Sequence, residues 1–309
     1  MTDQLILGPQ SPTPSLREAV ESMTFEGPVV CVTAGWRESE GEVQELEEEI
    51  GHPVEDLQLY HLAQDLFIQE PELAALQRER QDKLVELQGL YRIRLAAAMS
   101  SASQLLNHPG TPELLRLEQR AAISQVRALD RHHARRINGI HRNFDQRRAH
   151  MKIPGAEEIR RAVQEKLRNA GLVIIAGGHV AVLLNRIRLF RLQEILATKP
   201  MIAWSAGAMV LAERIVLFHD DAPQGRRDVE VLDAGLGIIK KLIPLPHAKS
   251  RLDWSSQNRM ALFSRRFSPA WCCTLDSGSS ILIRDQKIVA ASGSSVMTRS
   301  GRKKQLRAR

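Results

Sequence analysis

Met201-Ile202-Ala203-Trp204-Ser205-Ala206-Gly207-Ala208-Met209 is the stretch whose reading decides the fold. An apolar run stops on a serine, and residues with almost no side chain follow. This pattern predicts a β-strand that turns sharply into a helix. The chain crowds itself at such a corner, so small residues are needed two before and two after the corner residue. Ala203 and Gly207 meet that demand around Ser205. The corner side chain is then exposed, and the first N–H of the helix, that of Ala206, faces any oxyanion that develops beside it. Two readings stay open here: Ser205 as a nucleophile, or Ser205 as the N-cap of a closely packed helix.

Working outward, Leu172–Ala176 is an apolar run ending in Gly177-Gly178, one strand–helix unit before the corner. Its free backbone N–H groups could complete an oxyanion hole, or the two glycines could simply make a tight turn. Pro28–Gly35 is another continuous apolar run, as expected of a strand buried on both faces of a parallel sheet. Leu5–Gly8 and Asp56–Leu62 are further strand candidates, with helices expected at Pro14–Val20 and Glu38–Glu49. Beyond the corner, a helix is expected through Val216, then strands at Ile238–Pro244, Trp271–Leu275, Ser280–Ile283 and Lys287–Ala290. Alternating strands and helices predict a doubly wound, mostly parallel α/β sheet.

Between the halves the apolar period becomes helical. Pro71 opens a run through Leu73, Leu76, Leu84, Leu87, Tyr91 and Leu95, and after Asn107–Pro112 a second run passes through Ala122, Val126, Leu129, His133, Ile137, Ile140 and Phe144. The expected organisation is a first part of the α/β core over residues 1–62, a long helical-hairpin insertion over 63–154, the second part of the core over 155–298, and a disordered basic tail over 299–309.

The chain has 309 residues and a formal net charge of +7, which hides a split. Residues 1–60 carry 2 basic and 13 acidic groups, a balance of −11, whereas residues 151–309 carry 27 and 13, a balance of +14. The intervening segments 61–111 and 112–150 balance at −1 and +5. Attraction between the two halves of one sheet is the first expectation from these numbers. Polyanion binding, to RNA or DNA, is a local expectation for the basic tail and for Arg131, Arg135, Arg136, Arg142, Arg147 and Arg148, whose other reading is a solvated helix face. Aromatic residues are only 4 %, which argues against a base-stacking platform. Three cysteines make no disulfide framework and no CxxC pair suggests zinc. The start lacks the features of a signal peptide, and no apolar run approaches a membrane span. A cytoplasmic protein is expected, with no membrane partner, no metal and no cofactor.

A serine nucleophile needs a base, usually histidine. His247 follows the apolar run Gly237–Leu245 and so falls at a strand end, where doubly wound folds place their ligands. His219 is its main rival. His108, His132, His133, His141 and His150 lie in the hairpin and are expected on its solvated face. Arg251, four residues after His247, suits a substrate carboxylate. The opposite charges of the two halves favour the alternative, a salt bridge from Arg251 or Arg259 to the acidic first 60 residues.

Gly177-Gly178 at one strand end, Trp204-Ser205-Ala206-Gly207-Ala208 at the next, Pro246-His247 downstream and Asp276-Ser277-Gly278-Ser279 near the end resemble the aspartyl dipeptidase (peptidase E) and cyanophycinase family. The resemblance covers roughly residues 1–60 and 155–292. It implies a class I glutamine amidotransferase-like, flavodoxin-like fold and serine-peptidase chemistry on a peptide or small amide. It implies Ser205 as nucleophile, His247 as base, and Gly178 and Ala206 as oxyanion donors, with His179 and Arg251 toward the substrate. Three departures stand out. His179-Val180 replaces the polar pair that usually follows the glycines. Ser277 stands where an acidic residue is usual, leaving Asp276 beside it as the candidate third member, with a structural role as its other reading. The hairpin has no counterpart in the family pattern. A second functional reading is therefore a catalytically idle scaffold whose hairpin binds a partner or forms a homo-oligomer.

Overall fold

The computed structural model describes residues 2–151, 153–220 and 228–308. In chain order the first part holds β1 (Asp3–Leu7), α1 (Leu16–Ser22), β2 (Val29–Val32), a 3₁₀ turn at Ala34–Ser39, α2 (Gln44–Ile50), β3 (Val54–Asp56) and α3 (Leu59–Gln69). Two long helices follow, α4 (Pro71–Asn107) and α5 (Pro112–Ala149). Then come α6 (Pro154–Asn169), β4 (Leu172–Ile175), α7 (Val180–Leu189), α8 (Gln193–Leu196), β5 (Met201–Trp204), α9 (Ala206–Leu211), β6 (Arg214–Leu217) and β7 (Glu230–Ala234). The chain ends with β8 (Leu242–Pro246), α10 (Ala248–Arg251), α11 (Gln257–Phe267), β9 (Trp271–Leu275), β10 (Ser280–Arg284), β11 (Lys287–Ser292), β12 (Ser295–Met297) and β13 (Lys303–Gln305).

Among the described residues the main sheet has seven strands in the order β11-β10-β1-β5-β4-β2-β3. The five from β1 to β3 are parallel, and β10 and β11 close one edge antiparallel. Alternate residues of each strand enter opposite cores. Ile6, Val30, Val32, Val173, Ile175 and Ala203 face the layer built on α6 and α7. Leu5, Leu7, Cys31, Ile174, Ile202 and Trp204 face α1 and α2. With both faces covered, β2, β4 and β5 are buried at every position, which is why their sequences are continuous apolar runs and not alternating ones. The doubly wound α/β arrangement is thus present. A second sheet, β13-β12-β9-β8, carries β8 and β9 side by side in parallel.

Four expectations are corrected. Residues 59–62 are not strand but the start of α3, because β3 ends at Asp56 and the buried carboxylate of Glu40 accepts the N–H groups of Tyr60 and His61 at 2.6 and 2.9 Å, capping the new helix from outside. The corner helix stops at Leu211, and Arg214–Leu217 is a strand paired with β7. The basic tail is not disordered: Lys303–Gln305 pairs with β12, and Leu306 is buried. Arg309 lies outside the described residues. Finally, His133 and His141 are buried and not solvated, as is Arg148.

The last correction has a physical cause in how the hairpin is attached. α4 and α5 pack along each other and against α11 and β7. The contact is polar as well as apolar. Arg266, buried on α11, donates from Nε and Nη2 to both carboxylate oxygens of Asp130 on α5, each at 2.7 Å, and from Nη2 to the Tyr91 hydroxyl of α4 at 2.8 Å. Tyr91 in turn donates to Asp130 at 2.7 Å and stacks on His133. Further along, Gln88 and Arg92 bind Glu230 of β7, while His141 and Arg188 bind Asp233 at 3.0 and 3.1 Å. Burial pushes His133 down to about 4, so its ring is neutral at pH 7.

Candidate active site

The C-terminal ends of β1, β2, β4 and β5 lie on one rim, since the four strands are parallel and in register through Leu7–Trp204, Ala203–Ile175 and Ile175–Val32. Ser205 stands at this rim with φ 51° and ψ −116°. A serine N-cap has extended backbone and its Oγ accepts from the first helical turn. Ser205 does neither: its φ is positive and its side chain caps nothing. The cap reading therefore fails, and what remains is a strained corner that holds the hydroxyl up from the sheet.

Two glycines permit the corner. A Cβ on Gly207 would lie 2.2 Å from the Ile175 carbonyl oxygen, so only glycine lets α9 start this close to the end of β4. Gly178 has φ +106°, and a Cβ there would lie 2.4 Å from the Gly35 oxygen. The turn is closed by the His179 N–H, which donates to that same oxygen at 2.8 Å and is thereby spent. Gly177 abuts the Ser205 Cβ. The N–H of Ala206 opens α9, where no preceding helical carbonyl is available to it. Ala206 adjoins Ser205 in the chain, and Gly178 follows the glycine that abuts the Ser205 Cβ. His179 is exposed and its Nδ1 accepts the Val182 N–H at 3.3 Å, so it caps α7.

His247 arrives from the second sheet. It follows β8, has φ 58°, and its N–H donates to the Leu275 oxygen at 3.0 Å. Asp276 directly follows β9, and the turn after it is tied to the end of β1 by the Gly8 N–H, which donates to the Ser279 oxygen at 2.8 Å. β1 is the neighbour of β5, so the turn that follows Asp276 is tied to the strand beside the one that ends at Ser205. Half-burial holds the His247 pKa below its usual value, the nearby Arg251 charge adds to this, and Asp276 opposes it. The Asp276 carboxylate accepts the Lys249 N–H at 2.8 Å, at the start of α10. It steadies the turn that presents His247. Ser277, in the place of the usual acid, accepts from and donates to the Thr13 backbone at 3.1 and 3.3 Å. It anchors the loop after β1. Among the described residues, no hydrogen bond joins Ser205 to His247.

Arg251 is half-buried and makes no ion pair among the described residues. Among the described residues Arg251 makes no salt bridge to the acidic first part, and Arg259 donates instead from Nε to Asp220 at 2.8 Å. The two halves are joined instead by Arg284–Asp3 and Lys166–Glu55. His219 is exposed, next to Asp220, whose N–H donates to the Arg251 oxygen, so the rival histidine lies one residue from a contact with the end of α10. Residues 221–227 beyond it lie outside the description.

One residue on this rim was missed by the sequence reading. Arg37, after β2, has φ 61° and ψ −117°, nearly the conformation of Ser205. It follows Gly35 and Trp36, which lead out of the turn against Gly177 and Gly178. Nothing in the residue types around it announces such strain. The cysteines take no part: Cys31, Cys272 and Cys273 are free and buried, and burial pushes each thiol well up.

A model of peptidase family S51 matches residues 131–291, just over half of the chain. The match includes Gly178, Ser205, His247 and Asp276 and begins inside α5, so part of the second hairpin helix falls within it. Curated proteins gave no match. Among solved structures, a peptidase from an acI-B1 Actinobacterium is similar over 100 % of this chain and 95 % of its own, with 13 % identity and a TM-score of 0.47. No helix among the described residues is long and apolar enough to cross a membrane.

Proposed function

The chain belongs to peptidase family S51, a family of serine peptidases, and from that premise we propose that it cleaves an amide bond with Ser205 as nucleophile and His247 as general base. The observation that carries this assignment is the backbone of Ser205, whose φ of 51° serves no helix cap. Strain of this kind costs about 1–3 kcal/mol and persists where the surroundings enforce it. In the reaction Ser205 Oγ bonds to the substrate carbonyl carbon while its proton passes to the imidazole of His247. The carbonyl oxygen becomes an oxyanion between the N–H groups of Gly178 and Ala206. Each such donor is worth about 100- to 1,000-fold in rate. His247 then returns the proton to the amine as the C–N bond breaks, and water releases the acyl group by the same steps in reverse. Asp276 acts by positioning, through the turn it holds at Lys249.

Arg251 supports a substrate with a carboxylate near the cleaved bond. A half-buried guanidinium without an acidic partner among the described residues favours an anion that arrives with the ligand. Arg37 on the opposite side of the turn is the second candidate for that contact.

The test is labelling by a fluorophosphonate. The wild-type protein should be labelled at Ser205, and Ser205→Ala should abolish labelling while leaving the unfolding midpoint within about 2 °C. Because its surroundings keep His247 neutral, the acid limb of the labelling rate should fall below pH 6.5, and His247→Gln should remove it. Folded protein that resists labelling, or labelling at another serine, would refute the assignment.

A further inference from the structure

The hairpin holds a second candidate site, away from the Ser205 rim. Between α4 and α5 lies a cleft of about 280 Å³. Five cations line it, Arg80, Lys83, Arg135, Arg136 and Arg147, against the one carboxylate of Glu79. Glu79 is already divided between Lys83 at 2.6 Å and Arg147 at 2.7 Å. Arg80, Arg135 and Arg136 make no ion pair among the described residues. We propose that this cleft binds a phosphate group, held by Arg80 from below and by Arg135 and Arg136 from the rim.

Arg80 is the observation that separates this cleft from an ordinary basic surface. It is only 4 % exposed. Its guanidinium lies 4.2 Å above the Phe144 ring, and Nη2 donates to Asn185 at 2.8 Å, but Nε is buried with no acceptor. A buried guanidinium with donors to spare is costly unless an anion completes it. Burial, and then the like charge of Arg188, press its pKa down to about 10, against the opposing charges of Asp233 and Asp145.

Gly139 is the second, independent observation. It sits in the interior of α5, where glycine costs about 1 kcal/mol against alanine. A Cβ there would meet nothing within 4 Å, so no neighbour in the fold demands glycine. It lines the cleft, and its missing side chain leaves room for a ligand against the helix. The volume suits one phosphate or pyrophosphate better than a nucleotide. Planar guanidinium forks match phosphate oxygens in pairs, which favours a phosphoryl ligand over a lone carboxylate.

The experiment measures the unfolding midpoint of the full chain in chloride buffer at constant ionic strength while pyrophosphate is added, with calorimetric stoichiometry alongside. Binding is expected to be saturable and one to one. At 100-fold excess over Kd the midpoint should rise by roughly 5 °C. Arg135→Ala/Arg136→Ala, both exposed, should weaken binding at least about 10-fold. Gly139→Leu should block it. Arg116→Ala/Arg120→Ala, in the separate basic groove beside α11, should change it less than about 2-fold. Absence of saturation by pyrophosphate would overturn the proposal. So would binding that survives Arg135→Ala/Arg136→Ala, or that succinate reproduces at equal concentration. None of these readouts depends on Ser205 chemistry.

Discussion

Gly207→Ala isolates the packing that makes the corner at Ser205. The added methyl carbon would sit 2.2 Å from the Ile175 oxygen and 2.9 Å from the Ala176 oxygen. An ordinary carbon–oxygen contact is about 3.3 Å, so α9 must retreat by roughly 1 Å from the end of β4. Both obstructing atoms are backbone carbonyls of a fully buried strand end, and neither can swing aside. Overpacking of this kind costs about 1–3 kcal/mol, of which the better helix propensity of alanine returns about 1 kcal/mol. The expected net change is therefore a loss of about 0–2 kcal/mol, small enough to leave the protein folded. The kinetic effect should be larger. A shift of about 1 Å between Ser205 and the Gly178 N–H is worth roughly 100-fold in rate. Urea unfolding gives the first quantity and the rate of fluorophosphonate labelling gives the second. Gly89→Ala is the control, because a Cβ there meets nothing within 4 Å and should stabilise α4 by up to about 1 kcal/mol. If Gly207→Ala matches that control in stability and labels within 2-fold of wild type, the corner is not held by this contact and the reasoning is wrong.

Two further outcomes follow from buried charge. The Glu40 carboxyl is pushed up to about 7, chiefly by burial and further by Asp56, against the N–H groups of His61 and Tyr60. The folded state therefore keeps a proton that the unfolded chain releases near 4.5, and stability should fall as pH rises from 4.5 to 7, by about 3 kcal/mol from this group. Glu40→Gln should flatten that slope in urea titrations at each pH, and an unchanged slope would refute the account. Asp130→Asn breaks the buried pair with Arg266 and should cost about 3–5 kcal/mol, whereas Asp130→Leu/Arg266→Met should recover most of it. A single-variant loss under 1 kcal/mol would mean the pair is not desolvated as its geometry implies.

The legible part of this fold was the part buried on both faces. Val29–Val32, Leu172–Ile175 and Met201–Trp204 read as strands because every residue in them is apolar. The corner at Ser205 read correctly because its steric rule acts over five consecutive residues. What escaped depends on contacts distant in sequence. Little in the sequence marks the end of α9, since neither Ala212 nor Glu213 is a turn-forming residue type and Ile215, Val216 and Leu217 are as apolar as the helix. α3 begins where it does because Glu40, some 20 residues earlier, caps it. The tail becomes a strand because β12 offers it an edge. His133 and His141 belong to the helical repeat, but whether such a position meets solvent or Gln88 and Asp233 is decided by the second half of the chain.

That long-range pairing also settles how the hairpin must be treated. As a sequence it reads as an insertion between two sheet strands, removable in principle. In the folded chain its removal would strip Asp130 and Tyr91 from Arg266, Gln88 and Arg92 from Glu230, and His141 from Asp233. Arg266, Glu230 and Asp233 are each under 10 % exposed. Asp233 would keep Arg188, but Arg266 would lose its carboxylate partner, and the faces of α11 and β7 that α4 and α5 cover would be opened to water. Deleting residues 63–152 would therefore disturb the core as well as remove the hairpin, and could not separate a binding role of the hairpin from catalysis at Ser205. Substitutions confined to the exposed lip of the α4–α5 cleft can, because Arg135 and Arg136 make no ion pair among the described residues and their loss leaves the buried pairs intact.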